Sequence, residues 1–129
     1  MKHTGKVHLV YEETTNLVTL SFSAPGESPE EHDDMAAETR EFYEDMIKRF
    51  PERKFRILVD LSGAGIPTKH ATDMYIETLS DKRIERTAFY GMSHAIQSII
   101  NFIVNAAGRG ENVKFFIDQN QALEWLRAD

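Results

Sequence analysis

The stretch Phe55–Leu61, FRILVDL, constrains this chain more than any other. Its apolar residues do not alternate strictly with polar ones, and the run is too short for an ordinary helix. Such a run suits a central strand covered on both faces, the situation of strands in a largely parallel sheet layered between helices. The remainder of the chain must then supply helices for two faces and strands for two edges.

The flanking sequence supplies both. KVHLVYEE and NLVTLSFS are rich in β-branched and aromatic residues and are joined by a polar turn around Thr14–Asn16, which reads as an antiparallel hairpin. Ser28 fits a helix N-cap, Pro29 the first helical position and Glu31 the capping-box position. Met35, Thr39, Phe42, Met46 and Phe50 then recur at three- and four-residue steps, widened by Tyr43 and Ile47, until Pro51 stops the helix. Beyond FRILVDL, Thr68 can cap a second helix with Ala71, Met74, Tyr75 and Leu79 inward. RTAFY is the next strand, ended by Gly91. Ser93 caps a third helix whose stripe is Ile96, Ile99, Ile100, Ile103 and Ala107, with Gly108 as its stop. NVKFFID is the last strand, and the cap pair Asp118 and Gln121 opens a closing helix around ALEWL. The order is ββαβαβαβα: an α/β fold with an N-terminal β-hairpin followed by alternating helices and mostly parallel strands. Single helices between strands imply right-handed crossovers. At 129 residues without a linker or repeat, residues 1–129 read as one domain.

Composition narrows the function. There is no cysteine, so neither a disulfide nor a thiolate nucleophile is available, and a reducing, cytoplasmic setting is expected. The first residues lack the apolar core of a signal peptide, and Gln97, Asn101 and Asn105 interrupt the most apolar helix. Net charge is −6, and Glu27–Asp45 alone carries nine acidic residues against one basic, Arg40. That excludes a basic stripe of the kind nucleic-acid binders need, and early carboxylates on a helix suit its dipole.

Three catalytic or binding patterns are approached and missed. SGAGIPTK lacks the glycine before lysine of a phosphate loop, and Thr68 occupies the last glycine position of a dinucleotide fingerprint. Gly91-Met92-Ser93-His94-Ala95 resembles a nucleophile elbow with alanine in place of its last glycine, and His94 adjoins the serine rather than arriving from a distant loop. Ser93 is therefore read as a helix cap. His70 and His94 lie at two helix starts without a third metal ligand. No catalytic residue, cofactor or metal is called for. The stripe of AIQSIINFIVNAA reads first as core, with a ligand-cavity lining as the alternative.

RILVDLSGAG, RTAFYG and the closing ALEWL, spanning Arg56–Gly65, Arg86–Gly91 and Phe115–Leu126, resemble the SpoIIAA-like STAS/SEC14 family. The resemblance implies a compact SpoIIAA-like (β-α) superhelix and a non-enzymatic interaction or regulatory domain. Some family members are anti-sigma-factor antagonists, phosphorylated on a serine after the Asp-bearing strand. Asp60 matches that aspartate. The Asp-Ser-Ser-Gly phosphoacceptor motif is replaced here, with Ser62 in the loop and Thr68 at the helix start. The SEC14 side implies a hydrophobic small molecule or lipid as ligand. The implied partners are thus a protein, a second copy in a homodimer included, or a hydrophobic molecule.

Ligands of parallel β-α folds meet the carboxyl ends of the strands. Those ends carry Asp60, Ser62, Gly63 and Thr68 after one strand and Gly91, Ser93 and His94 after the next. Ser62, Thr68 and Ser93 are expected to share one surface region, and a binding site there is expected to include them.

Overall fold

The computed structural model describes residues 3–128. Five strands, β1 (Val7–Glu12), β2 (Leu17–Phe22), β3 (Phe55–Asp60), β4 (Ile84–Tyr90) and β5 (Val113–Phe116), form one sheet in the order β1-β2-β3-β4-β5. β1 and β2 pair antiparallel, and every later pairing is parallel. The helices are α1 (Pro29–Arg49), α2 (Lys69–Leu79), α3 (His94–Ala106) and α4 (Gln119–Arg127), with a 3-10 turn at Gly110–Asn112 before β5 that the sequence pattern does not announce.

Helix starts fall where the capping chemistry places them. Ser28 accepts the Glu31 N–H, and Glu31 in turn accepts the Glu27 N–H at 2.9 Å. Thr68, Ser93 and Asp118 cap α2, α3 and α4 by accepting the N–H groups of Ala71, Ile96 and Gln121. Each such cap satisfies a donor that the helix itself leaves unpaired. The first turn of α1 carries Glu30 and Glu31 and its last turn Lys48 and Arg49, both favourable to its dipole.

Side chains of β3 divide between two cores. Phe55, Val59 and, just past the strand, Leu61 enter a large core with Tyr43 and Met46 of α1 and Ile96, Ile103 and Val104 of α3. Leu58 enters a smaller core with Ala88, Ala122 and Leu126 under α4. The continuous apolar run is therefore the sum of two alternating sets. β4 begins at Ile84, two residues before RTAFY, because the register shifts between Phe55 and Arg56: Phe55 pairs with Ile84 and Arg56 with Arg86. Glu85 is the extra residue, and Asn112 donates to its carbonyl at 3.1 Å.

α4 is held by more than its apolar face. Arg56 and Arg86 are register partners on β3 and β4. Arg86 donates to the carbonyls of Trp125 and Ala128 at 2.7 and 2.9 Å, and Arg56 to those of Leu126 and Ala128. Two guanidinium groups thus satisfy the orphan carbonyls at the C-terminal end of α4, where positive charge is favourable. The Arg86 guanidinium also lies 5.3 Å from the centre of the Trp125 ring. Replacing both with methionine keeps the apolar stems and removes these bonds. The double variant is expected to lose about 1–3 kcal/mol and to accelerate hydrogen exchange in α4 while β2 and β3 retain protection. Uniformly faster exchange across the sheet would refute this local role.

Candidate functional site

The two helical layers approach the sheet differently. α4 lies close on β3, β4 and β5, whereas α2 and α3 make their close backbone approaches to neighbouring helices rather than to the strands. The gap left beneath α2 is an apolar chamber of about 110 Å³. Its floor is Leu20 and Phe22 of β2, Ile57 and Val59 of β3, and Ile84, Thr87 and Phe89 of β4. Its walls are Met35 and Thr39 of α1, Tyr75, Thr78 and Leu79 of α2, and Ile96, Ile99, Ile100 and Ile103 of α3. His32, Ala64, Gly65 and Pro67 line the remaining end, and all four are partly exposed.

Polar atoms along the chamber are few. Thr39 and Thr78 donate their hydroxyls to the carbonyls of Met35 and Met74, one turn back in their own helices, at 3.0 Å each. Burial pushes the Tyr75 phenol well above its ordinary pKa, so it stays neutral. The Thr87 hydroxyl is buried and has no hydrogen-bond partner.

The six residues singled out from the sequence lie elsewhere: none of Asp60, Ser62, Gly63, Thr68, Ser93 and His94 lines the chamber. Asp60 follows Leu58 on the α4 side of the sheet by strand alternation. Its Oδ1 accepts the Ser62 N–H at 2.9 Å and the Ser62 hydroxyl at 2.6 Å. Burial works to raise the Asp60 pKa, but these bonds and one from the Tyr90 hydroxyl outweigh it and hold the carboxyl below its ordinary value. Gly91, at φ +77°, packs beside this cluster; a Cβ there would sit 3.1 Å from both Asp60 Oδ1 and the Ser62 nitrogen. Asp60, Ser62, Tyr90 and Gly91 are therefore brought together at the ends of β3 and β4.

Thr68 is committed in another direction. Its hydroxyl donates to the Asp33 carboxylate of α1 while accepting the Ala71 N–H, so it ties α2 to α1. Ser93 spends its oxygen on the Ile96 N–H at 3.3 Å, and His94 is the exposed first residue of α3. Gly63 is glycine for proximity rather than for an unusual φ: a Cβ would lie 2.1 Å from the Phe22 carbonyl oxygen. Among the described residues no group of three or more His, Asp or Glu side chains could hold a metal ion, and no helix is long and apolar enough to cross a membrane.

A family model, described as a domain of unknown function, DUF7793, matches residues 33–128. The chain belongs to the DUF7793 family. The matched DUF7793 region begins inside α1 and takes in β3, β4, β5 and α2–α4, hence all of the chamber lining except Leu20, Phe22 and His32. Among solved structures, the chain is similar to an uncharacterised protein of the DUF3478 family with a SpoIIAA-like fold from Shewanella loihica PV-4 (TM-score 0.64, 16% identity, 98% of each chain covered). It is also similar to the NMR structure of the protein TM1081 (TM-score 0.60, 13% identity, 100% of this chain and 93% of that one covered). At these identities the likeness shows the fold alone: this DUF7793 chain has a SpoIIAA-like α/β fold. No functionally curated protein matches it.

The chamber was foreshadowed in sequence only by the apolar stripe of α3. That stripe is as compatible with solid core as with a cavity, because helix-to-sheet distance is a tertiary property. Thr68→Ser keeps both hydrogen bonds and is expected to melt within about 1 °C of the parent, whereas Thr68→Asp sets a carboxylate against Asp33 and is expected to lose about 1–2 kcal/mol. Equal melting temperatures for the two would show that the Asp33 contact is immaterial. Asp60, with its folded pKa depressed, contributes stability that is fully present above its unfolded value of 3.8 and is lost as pH falls through the lower folded value. Asp60→Asn should therefore narrow its melting-temperature deficit as pH is lowered from about 5 to about 2. A deficit that stays constant over that range would contradict the assignment.

Proposed function

We propose that this domain is a non-enzymatic receptor for a small hydrophobic molecule, held in the chamber between the sheet and α1–α3. The observation that carries this reading is the chamber itself, an unfilled space of about 110 Å³ with an almost entirely apolar lining. Protein interiors are ordinarily packed to the density of organic crystals, and apolar space of this size stays dry and accepts apolar guests. The volume is that of a ring-sized guest rather than of a whole lipid, so within the SEC14-like range of ligands the reading favours the small end. The site offers binding and shape selection, and it presents no nucleophile with an activating base.

A STAS-like protein-interaction role is the second reading. It is favoured by a groove between α2 and α3 that Phe102, 62% exposed, lines with Ile99 and Pro67 opposite the Lys69–Asp73 ion pair of α2. Large exposed aromatics rimmed by charge are common at interaction surfaces. The two roles are compatible, because Ile99 and Pro67 also line the chamber.

Titration with toluene, followed by methyl NMR, is expected to perturb Ile57, Ile96, Ile100 and Ile103 saturably. Ile57→Phe places a ring in the chamber and should abolish that response while leaving the melting temperature equal or higher. Native mass spectrometry after gentle purification should show a bound small molecule that Ile57→Phe lacks. Wild-type protein with no saturable methyl response would reject the receptor reading.

A further inference from the structure

Thr87 occupies the middle of β4, paired with Ile57 on one side and Val113 on the other. It is 1% exposed, lines the chamber, and its hydroxyl has no hydrogen-bond partner. A strand residue cannot use the solution found by Thr39 and Thr78, which return their protons to a carbonyl one helical turn back. Valine has the same shape, favours strands at least as well, and buries no polar atom. An unpaired buried hydroxyl is therefore a net cost to the empty fold.

We infer that Thr87 is a specificity residue, and that the chamber takes a neutral ring-sized molecule bearing one hydrogen-bonding group, a hydroxyl or carbonyl, which pairs with Thr87 Oγ1. The inference rests on the receptor reading above. Neutrality follows from the lining, which contains no Lys, Arg, Asp or Glu and whose one ionisable base, His32, stands at the partly exposed end. An ion there would be desolvated without a counter-charge. The upper limit on size follows from the volume, about 110 Å³, which is smaller than the roughly 150 Å³ of a dry apolar cavity that accepts benzene, so a single ring is the most it takes. The polar function follows from Thr87 Oγ1, the chamber hydroxyl that is fully buried and without a partner.

Phenol and toluene differ by a hydroxyl against a methyl and serve as the probe pair. Both are titrated into wild type, Thr87→Val and Thr87→Ser, with binding read from methyl NMR. Thr87→Val is expected to weaken phenol about five- to tenfold and to leave toluene unchanged or tighter. Thr87→Ser is expected to retain phenol binding within about twofold. Without ligand, Thr87→Val should melt a few degrees higher than wild type. If toluene and phenol both bind wild type and Thr87→Val weakens them equally or not at all, the role of Thr87 is overturned while the receptor reading stands. If neither probe binds wild type, the receptor reading fails and this inference fails with it.

Discussion

Side chains on a strand alternate between faces, and on β3 both sets demand cover. Phe55, Val59 and Leu61 enter one core and Leu58 the other, so a helix on only one side would leave apolar surface of the most central strand in water. The rest of the architecture answers that demand. Parallel neighbours require crossovers, the crossovers are helices, and those helices are the covering layers. The hairpin β1–β2 extends the sheet on one side, where α1 packs against β1.

The two covers are unequal. α4 has nine residues and a narrow apolar contact, but Arg56 and Arg86 bind its last carbonyls from adjacent strands. α1, α2 and α3 form a wider layer in which α2 leans on its helical neighbours. The tight side fixes the sheet, and the looser side encloses space. Asp60 and the chamber, although both arise from β3, consequently lie on opposite faces. Asp60, Ser62 and Tyr90 stitch together the loops that leave β3 and β4, which is a structural task that a carboxylate held ionised performs well.

Local chemistry was legible in the sequence where it depends on neighbours three or four residues away. The caps at Ser28, Thr68, Ser93 and Asp118, the stripe of α1 and the order of strands all have that character. The bulge at Glu85 does not. Strict alternation would place Ile84 with Arg86 and Ala88 on the α4 side. The extra residue instead sends Ile84 to the same side as Thr87 and Phe89, where all three form the chamber floor. Thr68 was legible as a cap but not as a tie to α1, because its second partner, Asp33, is 35 residues away. The arginines that open RILVDL and RTAFY likewise gain their meaning only when the sheet pairs them under the end of α4.

A cavity in a small domain needs a reason to persist. At about 24 cal/mol per Å³, a volume of 110 Å³ would cost at most roughly 2–3 kcal/mol if it were fully sealed, against a stability of about 5–15 kcal/mol usual for a domain. The remedy is within easy reach of single substitutions, since larger side chains at Ala64 or Ile57 would extend into the space. The chain instead combines the void with a buried hydroxyl at Thr87, where valine would be the better structural choice. Two departures from good packing at one place, each open to simple correction, have a common explanation if the folded domain is completed by what it binds. Local rules are most often broken where function makes a claim on the structure, and here both breaks line the same chamber.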